Sequence, residues 1–277
     1  MQTKLHRSAP IGLFDSGVGG LSVLREVRAL LPGEDLIYLG DHANVPYGPR
    51  GLFEVRRFSE SIAAFLRDKG VKLIAIPCHT ASAAALHVLR EKSPDSLIVG
   101  MEPAVKPAAE HSETGVVGVL ATPTTFEGEL YASVVERFAQ DVTLLQSSCP
   151  GLVAEIEAGR HDGPEAERIL RTVLEPMLPR GLDAVVLGCT HYPFAFDTIR
   201  KIVGPDVRLI DPAPAVARRI KELLAGRDLL NPRTSGGRVR YLTTGDAGQF
   251  QAQIKQLLGD DTETEALRWH GDQVLAV

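Results

Sequence analysis

Three landmarks of this sequence recur in the same order in its second half, and a repeat of that kind limits the fold more than any single motif. Ile11-Gly12-Leu13-Phe14-Asp15-Ser16 is matched by Val117-Gly118-Val119-Leu120-Ala121-Thr122, an offset of 106 residues. Cys78 and Cys189 are offset by 111, and so are Pro103-Ala104-Val105 and Pro214-Ala215-Val216. Each half must therefore build a similar supersecondary unit. Between the landmarks, residues 21–31 and 53–66 carry apolar side chains at helical spacing, whereas 36–39 and 73–76 are short buried-strand candidates. A helix over 166–177 and a strand beginning at Ala184 continue the alternation. Strand followed by helix, repeated, implies mainly parallel sheets with helices on both faces. The expectation is an α/β fold of two pseudo-symmetric domains, with the active site in the cleft between them.

A length of 277 residues agrees with two cores rather than one. One more strand (238–242) and a helix (247–258) lie beyond the second copy and are expected to pack back on the first domain. That places the first domain at 1–102 plus 215–277 and the second at 103–214. With 44% hydrophobic and 23% charged residues the chain can build sizeable cores. Its formal net charge of -5 offers no general attraction to nucleic acid or anionic membranes. The expected partners are a small molecule and further copies of the chain, as in a homodimer. Residues 1–10 lack the apolar centre of a signal peptide, and no apolar stretch approaches a membrane span. Three cysteines without framework spacing read as free thiols of a cytoplasmic protein.

In open α/β sheets, ligands bind outside the carboxyl ends of the strands, and the polar motifs of this chain fall there. Asp15-Ser16-Gly17-Val18-Gly19-Gly20 invites a dinucleotide reading, but Ser22 stands where the third glycine should be. A tight turn that lets the first helix leave the sheet explains the glycines better. Asp15 is different, because a carboxylate at the tip of a buried strand needs a task or a partner. Pro46-Tyr47-Gly48-Pro49-Arg50, after Asp41, reads as a rigid turn, with Tyr47 equally suited to wall a pocket or donate a hydrogen bond.

The clusters Pro77-Cys78-His79-Thr80 and Gly188-Cys189-Thr190-His191 each sit where a strand gives way to a helical segment. A helix N-terminus favours thiolate, the reactive form. Three readings apply: inert core cysteines, a zinc site of Cys78, His79, Cys189 and His191, or a pair of thiols acting as general acid and base or nucleophile. The polar neighbours disfavour the first and the spacing disfavours the second. Cys149-Pro150 lacks such neighbours and reads as structural. Glu157, placed near a helix start, reads alone as a solvated charge.

Taken together, residues 15–20, Pro46-Tyr47-Gly48, Cys78 with Thr80, and Leu187-Gly188-Cys189-Thr190-His191-Tyr192-Pro193 closely resemble glutamate racemase, over a span from Ile11 to Asp246. The resemblance implies two flavodoxin-like domains and a cofactor-independent enzyme that supplies D-glutamate for peptidoglycan. Inverting Cα without a cofactor requires removing a proton on one face and delivering one on the other, which two facing thiols can do. By resemblance Cys78 would serve the D-enantiomer, assisted by Asp15, and Cys189 the L-enantiomer, assisted by Glu157 and His191. Asp15, Ser16, Tyr47, Gly48, His79, Thr80, Thr122, Thr125, Thr190 and His191 would hold the substrate, with no metal. The family's first motif usually reads Ala-Cys-Asn-Thr. The larger, titratable His79 found here is expected to alter glutamate binding and the pH profile. Racemisation of aspartate or another amino acid, a non-catalytic protein closing on an acidic small molecule, and a metal-dependent hydrolase are the alternatives.

Overall fold

The computed structural model describes residues 6–277, so part of the N-terminal segment read for targeting, residues 1–5, lies outside the described residues. The first half runs β1 (Ile11–Asp15), α1 (Leu21–Leu30), β2 (Leu36–Gly40), α2 (Leu52–Asp68), β3 (Leu73–Ala75), α3 (His79–Lys92) and β4 (Ile98–Val99). The second begins with α4 (Val105–His111), β5 (Val116–Ala121), α5 (Pro123–Glu127), α6 (Glu129–Phe138) and β6 (Thr143–Ser147). It continues through α7 (Leu152–Glu157), α8 (Pro164–Leu174), β7 (Ala184–Gly188), α9 (Phe196–Val203) and β8 (Arg208–Ile210). The chain closes with α10 (Ala213–Gly226), β9 (Val239–Thr243), α11 (Ala247–Leu258), β10 (Thr264–His270) and β11 (Gln273–Ala276).

The repeat appears as topology. One sheet has the order β11-β10-β9-β2-β1-β3-β4 and the other β6-β5-β7-β8, so β2-β1-β3-β4 and β6-β5-β7-β8 are the same four-stranded unit. Every pairing within these units is parallel, for example Leu13 with Tyr38 and Ala75, and Val119 with Gln146 and Val186. Helices cover both faces, so β1, β2 and β7 are buried along their whole length and, up to the Asp15 that ends β1, their sequences are continuously apolar rather than alternating. The last helix of each unit crosses over: α4 packs on β5, β7 and α6, and α10 packs on α1 and β4. The expected division at 102/103 and 214/215 therefore falls just before α4 and inside the first turn of α10.

The tail differs from expectation. Beyond β9 and α11 there are two further strands, β10 parallel to β9 and β11 antiparallel to β10. Only Leu267 and Val274 of this hairpin are buried, and Leu275 on the edge strand is exposed. α11 itself is set by local chemistry, with the Asp246 carboxylate capping the Gln249 N–H at 2.7 Å and Gly259 closing the helix at φ +67°.

Candidate active site

In both units the chain leaves the first strand to one side and returns on the other, and the switch point lies between β1 and β3 and between β5 and β7. Asp15 and Cys78 stand at the carboxyl ends of β1 and β3, and Thr122 and Cys189 at those of β5 and β7. The two switch points share a cavity of about 270 Å³, lined by Ser16, Tyr47, Gly48, Cys78, His79 and Thr80 from one domain and Thr122, Cys189, Thr190 and His191 from the other. That size is below the ~300 Å³ at which pockets for drug-sized ligands begin, and it suits a small metabolite.

Cys78 is 4% exposed and occupies the N-cap position of α3. The helix terminus does not leave it a thiolate, as the sequence suggested. Burial pushes its pKa well above the ordinary thiol value, and the negative charge and hydrogen bond of Asp15 push it further. Asp15 is itself fully buried and held by the Gly20 N–H, which donates to Oδ2 at 2.7 Å.

Cys189 has a different setting. A 3-10 turn at Tyr192–Ala195, with Pro193 in it, separates the thiol from α9, so Cys189 does not open a helix directly. Its partner is His191, whose Nδ1 lies 3.7 Å from Sγ while Nε2 lies 2.6 Å from Glu157 Oε1. Burial pulls the His191 pKa down, but the bonds to Cys189 and Glu157 outweigh it and hold the pKa well above the histidine range. The ring is therefore an imidazolium with an N–H toward each neighbour.

Glu157 corrects two expectations. It is the last residue of α7 rather than near its start, and its side chain is 13% exposed rather than solvated. Burial alone would raise its pKa, yet His191, His42 and the Val18 N–H, which donates to Oε1 at 2.9 Å, hold it below the usual range. The glycines do make the turn into α1, the Leu21 N–H donating to the Val18 carbonyl at 3.0 Å across Gly19 and Gly20, but that turn needs no positive φ. They are clearances: a Cβ on Gly17 would overlap the Glu157 carboxylate, and one on Gly19 would lie 2.5 Å from His191 Nδ1 and 2.6 Å from Thr190 Oγ1. The glycine motif lets the second domain's acid and histidine close on the first domain.

Asp15, Thr125 and Glu157 stand behind the lining rather than in it. Thr125 Oγ1 is 2.8 Å from Thr122 Oγ1, which is 2.9 Å from Thr80 Oγ1, so the three hydroxyls form one cluster across the domains. Tyr47 both walls the cavity and donates, its hydroxyl reaching Asp41 Oδ2 at 2.6 Å. Gly48 has no room for a side chain, because a Cβ would lie 2.7 Å from Thr122 Cγ2. His79 does not titrate near neutrality as its side chain suggested: burial lowers its pKa to about 3, and the helix N-terminus also disfavours a cation there. Neither of its ring nitrogens has a hydrogen-bond partner.

Sequence reasoning missed three neighbours. Cys149 and Tyr192 line the cavity, and burial pushes the Cys149 thiol up to about 12. His42 Nε2 lies 3.6 Å from Glu157 Oε2. Cys149 carried no polar neighbours in sequence, because it approaches Cys189 only through the fold. Among the described residues, no three His, Cys, Asp or Glu side chains are grouped to hold a metal ion. No described helix is long and apolar enough to cross a membrane.

Fold and site together define a class, two-domain α/β proteins that present one buried thiol from each half to a shared cavity. The model of the Asp/Glu/hydantoin racemase family matches residues 17–220, and the chain belongs to that family. It is 49% identical to the glutamate racemase of Roseiflexus sp. (strain RS-1) over 249 residues, 90% of this chain and 92% of that one. The glutamate racemase of Thermus thermophilus in complex with β-chloro-D-alanine superposes with a TM-score of 0.81 at 40% identity, covering 96% of this chain and 99% of that one. The Francisella tularensis glutamate racemase in complex with D-glutamate gives 0.82 at 31% identity, covering 95% and 98%.

Proposed function

We propose that this protein is a glutamate racemase, interconverting L- and D-glutamate by two-base 1,1-proton transfer and supplying the D-enantiomer for peptidoglycan synthesis in the cytoplasm. One observation carries the mechanism: the two cavity thiols have opposite electrostatic partners. Cys78 faces the carboxylate Asp15 and is held as a thiol, an acid, whereas Cys189 faces the ring of His191, which Glu157 anchors at its other nitrogen. An acid on one side of the cavity and a thiol beside a histidine on the other fit a two-base reaction.

For L-glutamate, Cys189 takes the Cα proton and Cys78 delivers its own to the opposite face. Each thiol ends in the other's initial state, and the same steps reversed convert D-glutamate. The negative charge of Asp15 opposes a thiolate at Cys78, and the substrate ammonium offsets that repulsion when Cys78 gives up its proton. Glu157 keeps His191 cationic and fixes its ring, while Ser16, the Tyr47-Gly48 wall, His79, Thr80, Thr122, Thr190 and His191 surround the substrate's polar groups and Thr125 supports Thr122 from behind. The glutamate reading rests on the kinship with glutamate racemases of the same length. A homodimer is proposed as well, because the charge reading leaves further copies of the chain as candidate partners, and sedimentation measures it directly.

The test is exchange in D₂O. L-glutamate should gain deuterium at Cα as its optical rotation decays, without added cofactor. Racemisation that survives in the double variant Cys78→Ala, Cys189→Ala would overturn the two-base assignment. Parallel assays with the enantiomers of aspartate decide the substrate.

A further inference from the structure

We infer that the C-terminal hairpin β10–β11 positions the Tyr47-Gly48 wall of the cavity through the indole of Trp269. The inference rests on reading that cavity as the glutamate site. Asp41, at the end of β2, is fully buried, and its carboxylate collects donors from three parts of the chain. Tyr47 Oη donates to Oδ2 at 2.6 Å, Thr244 Oγ1 to Oδ1 at 2.6 Å, and Trp269 Nε1 to Oδ1 at 2.7 Å. Asn44 Nδ2 adds longer bonds of 3.0 and 3.2 Å.

A buried carboxylate stays put only while its lone pairs are satisfied, and bonds to an ionised acceptor are the strong ones. Tyr47 and Trp269 thus share one fixed anion. Packing reinforces the link: the Trp269 ring lies 5.5 Å from Phe58, Phe58 lies 5.7 Å from Tyr47, and Arg50 sits over Phe58 at 5.6 Å. Remove the indole N–H and Oδ1 loses one of its short bonds, freeing the carboxylate to follow Thr244 and Asn44. The tyrosine it holds moves with it. Trp269 is a positioning residue, 228 residues from its partner in sequence and on β10, the strand next to the sheet edge and outside the repeat.

Trp269→Phe keeps an aromatic ring against Phe58 while deleting the donor together with part of the ring. The expected result is a KM for glutamate raised about tenfold with kcat within about twofold. Amide exchange at Ala43, Asn44 and Arg50 should become about tenfold faster while β5 is unchanged. Unchanged exchange in this turn, or a rise spread evenly over the protein, overturns the inference whether or not glutamate is racemised. Failure of the racemase reading shows separately, as wild-type protein without Cα exchange and with the loop effect intact. A measurement without any variant uses the single tryptophan. Its indole N–H resonance should be protected from solvent exchange, and exchange at the rate of a free indole overturns the assignment.

Discussion

The carboxylate of Glu157 occupies the space that a side chain on Gly17 would need, so the two domains meet in the site with no atom to spare. From β1 of one domain to α7 of the other, this contact sets how closely His191 can approach the cavity. Gly17→Ala should push Glu157 off His191. We expect kcat/KM to fall at least about tenfold and the protein to lose roughly 1–3 kcal/mol, the usual cost of overpacking. Steady-state kinetics and chemical denaturation measure both. Wild-type kinetics in G17A would show that Glu157 can relocate freely.

The two thiols should be unequal in an isotope experiment. Cys189→Ala removes the base for L-glutamate and Cys78→Ala the base for D-glutamate, each lowering turnover by about 10²- to 10⁴-fold. Deuterium wash-in at Cα from the enantiomer that retains its base should persist above that from the other. Equal loss of wash-in from both enantiomers in both variants would contradict the assignment of faces.

Glu157→Gln tests the imidazolium. His191 has a folded-state pKa raised above its ordinary 6.5, so its contribution to stability is fully present below that value and is lost as pH rises through the folded pKa. Wild-type protein should therefore lose stability above neutrality more steeply than the Gln variant, in which Cys189 still raises the pKa but the second raising partner is neutral. L-to-D turnover in the variant should fall about tenfold or more, because less cation faces Cys189. Urea titrations between pH 7 and 10 decide the sign.

His79 works in the opposite direction. Its pKa falls from 6.5 to about 3 on folding, so below 6.5 the unfolded chain binds the extra proton and stability declines as pH falls toward 3. Between pH 6.5 and 4.5 that amounts to about 2 kcal/mol. His79→Asn should remove this acid sensitivity, leaving a flatter stability profile over the same range. An unchanged slope would mean that His79 can turn its ring to water when protonated.

The repeat, the strand–helix alternation and both cysteines were legible in the sequence because they depend on local patterns. A buried parallel strand must be continuously apolar, and a ligand site in such a fold must lie at strand ends, so Asp15, Cys78, Thr122 and Cys189 could be placed before any contact was seen. Resemblance added their expected roles. What the sequence could not reveal depends on atoms brought together from residues far apart. Only the fold packs Glu157 against Gly17 and turns a nominal surface charge into the partner of His191. Only the fold buries Cys78 beside Asp15, where desolvation overrides the helix terminus, and sets Cys149 in the cavity wall. The hairpin carrying Trp269 buries only Leu267 and Val274, and the indole's bond to Asp41 exists only across the completed sheet. Periodicity is written along the chain, whereas desolvation, clearance and charge pairing belong to the space between its segments.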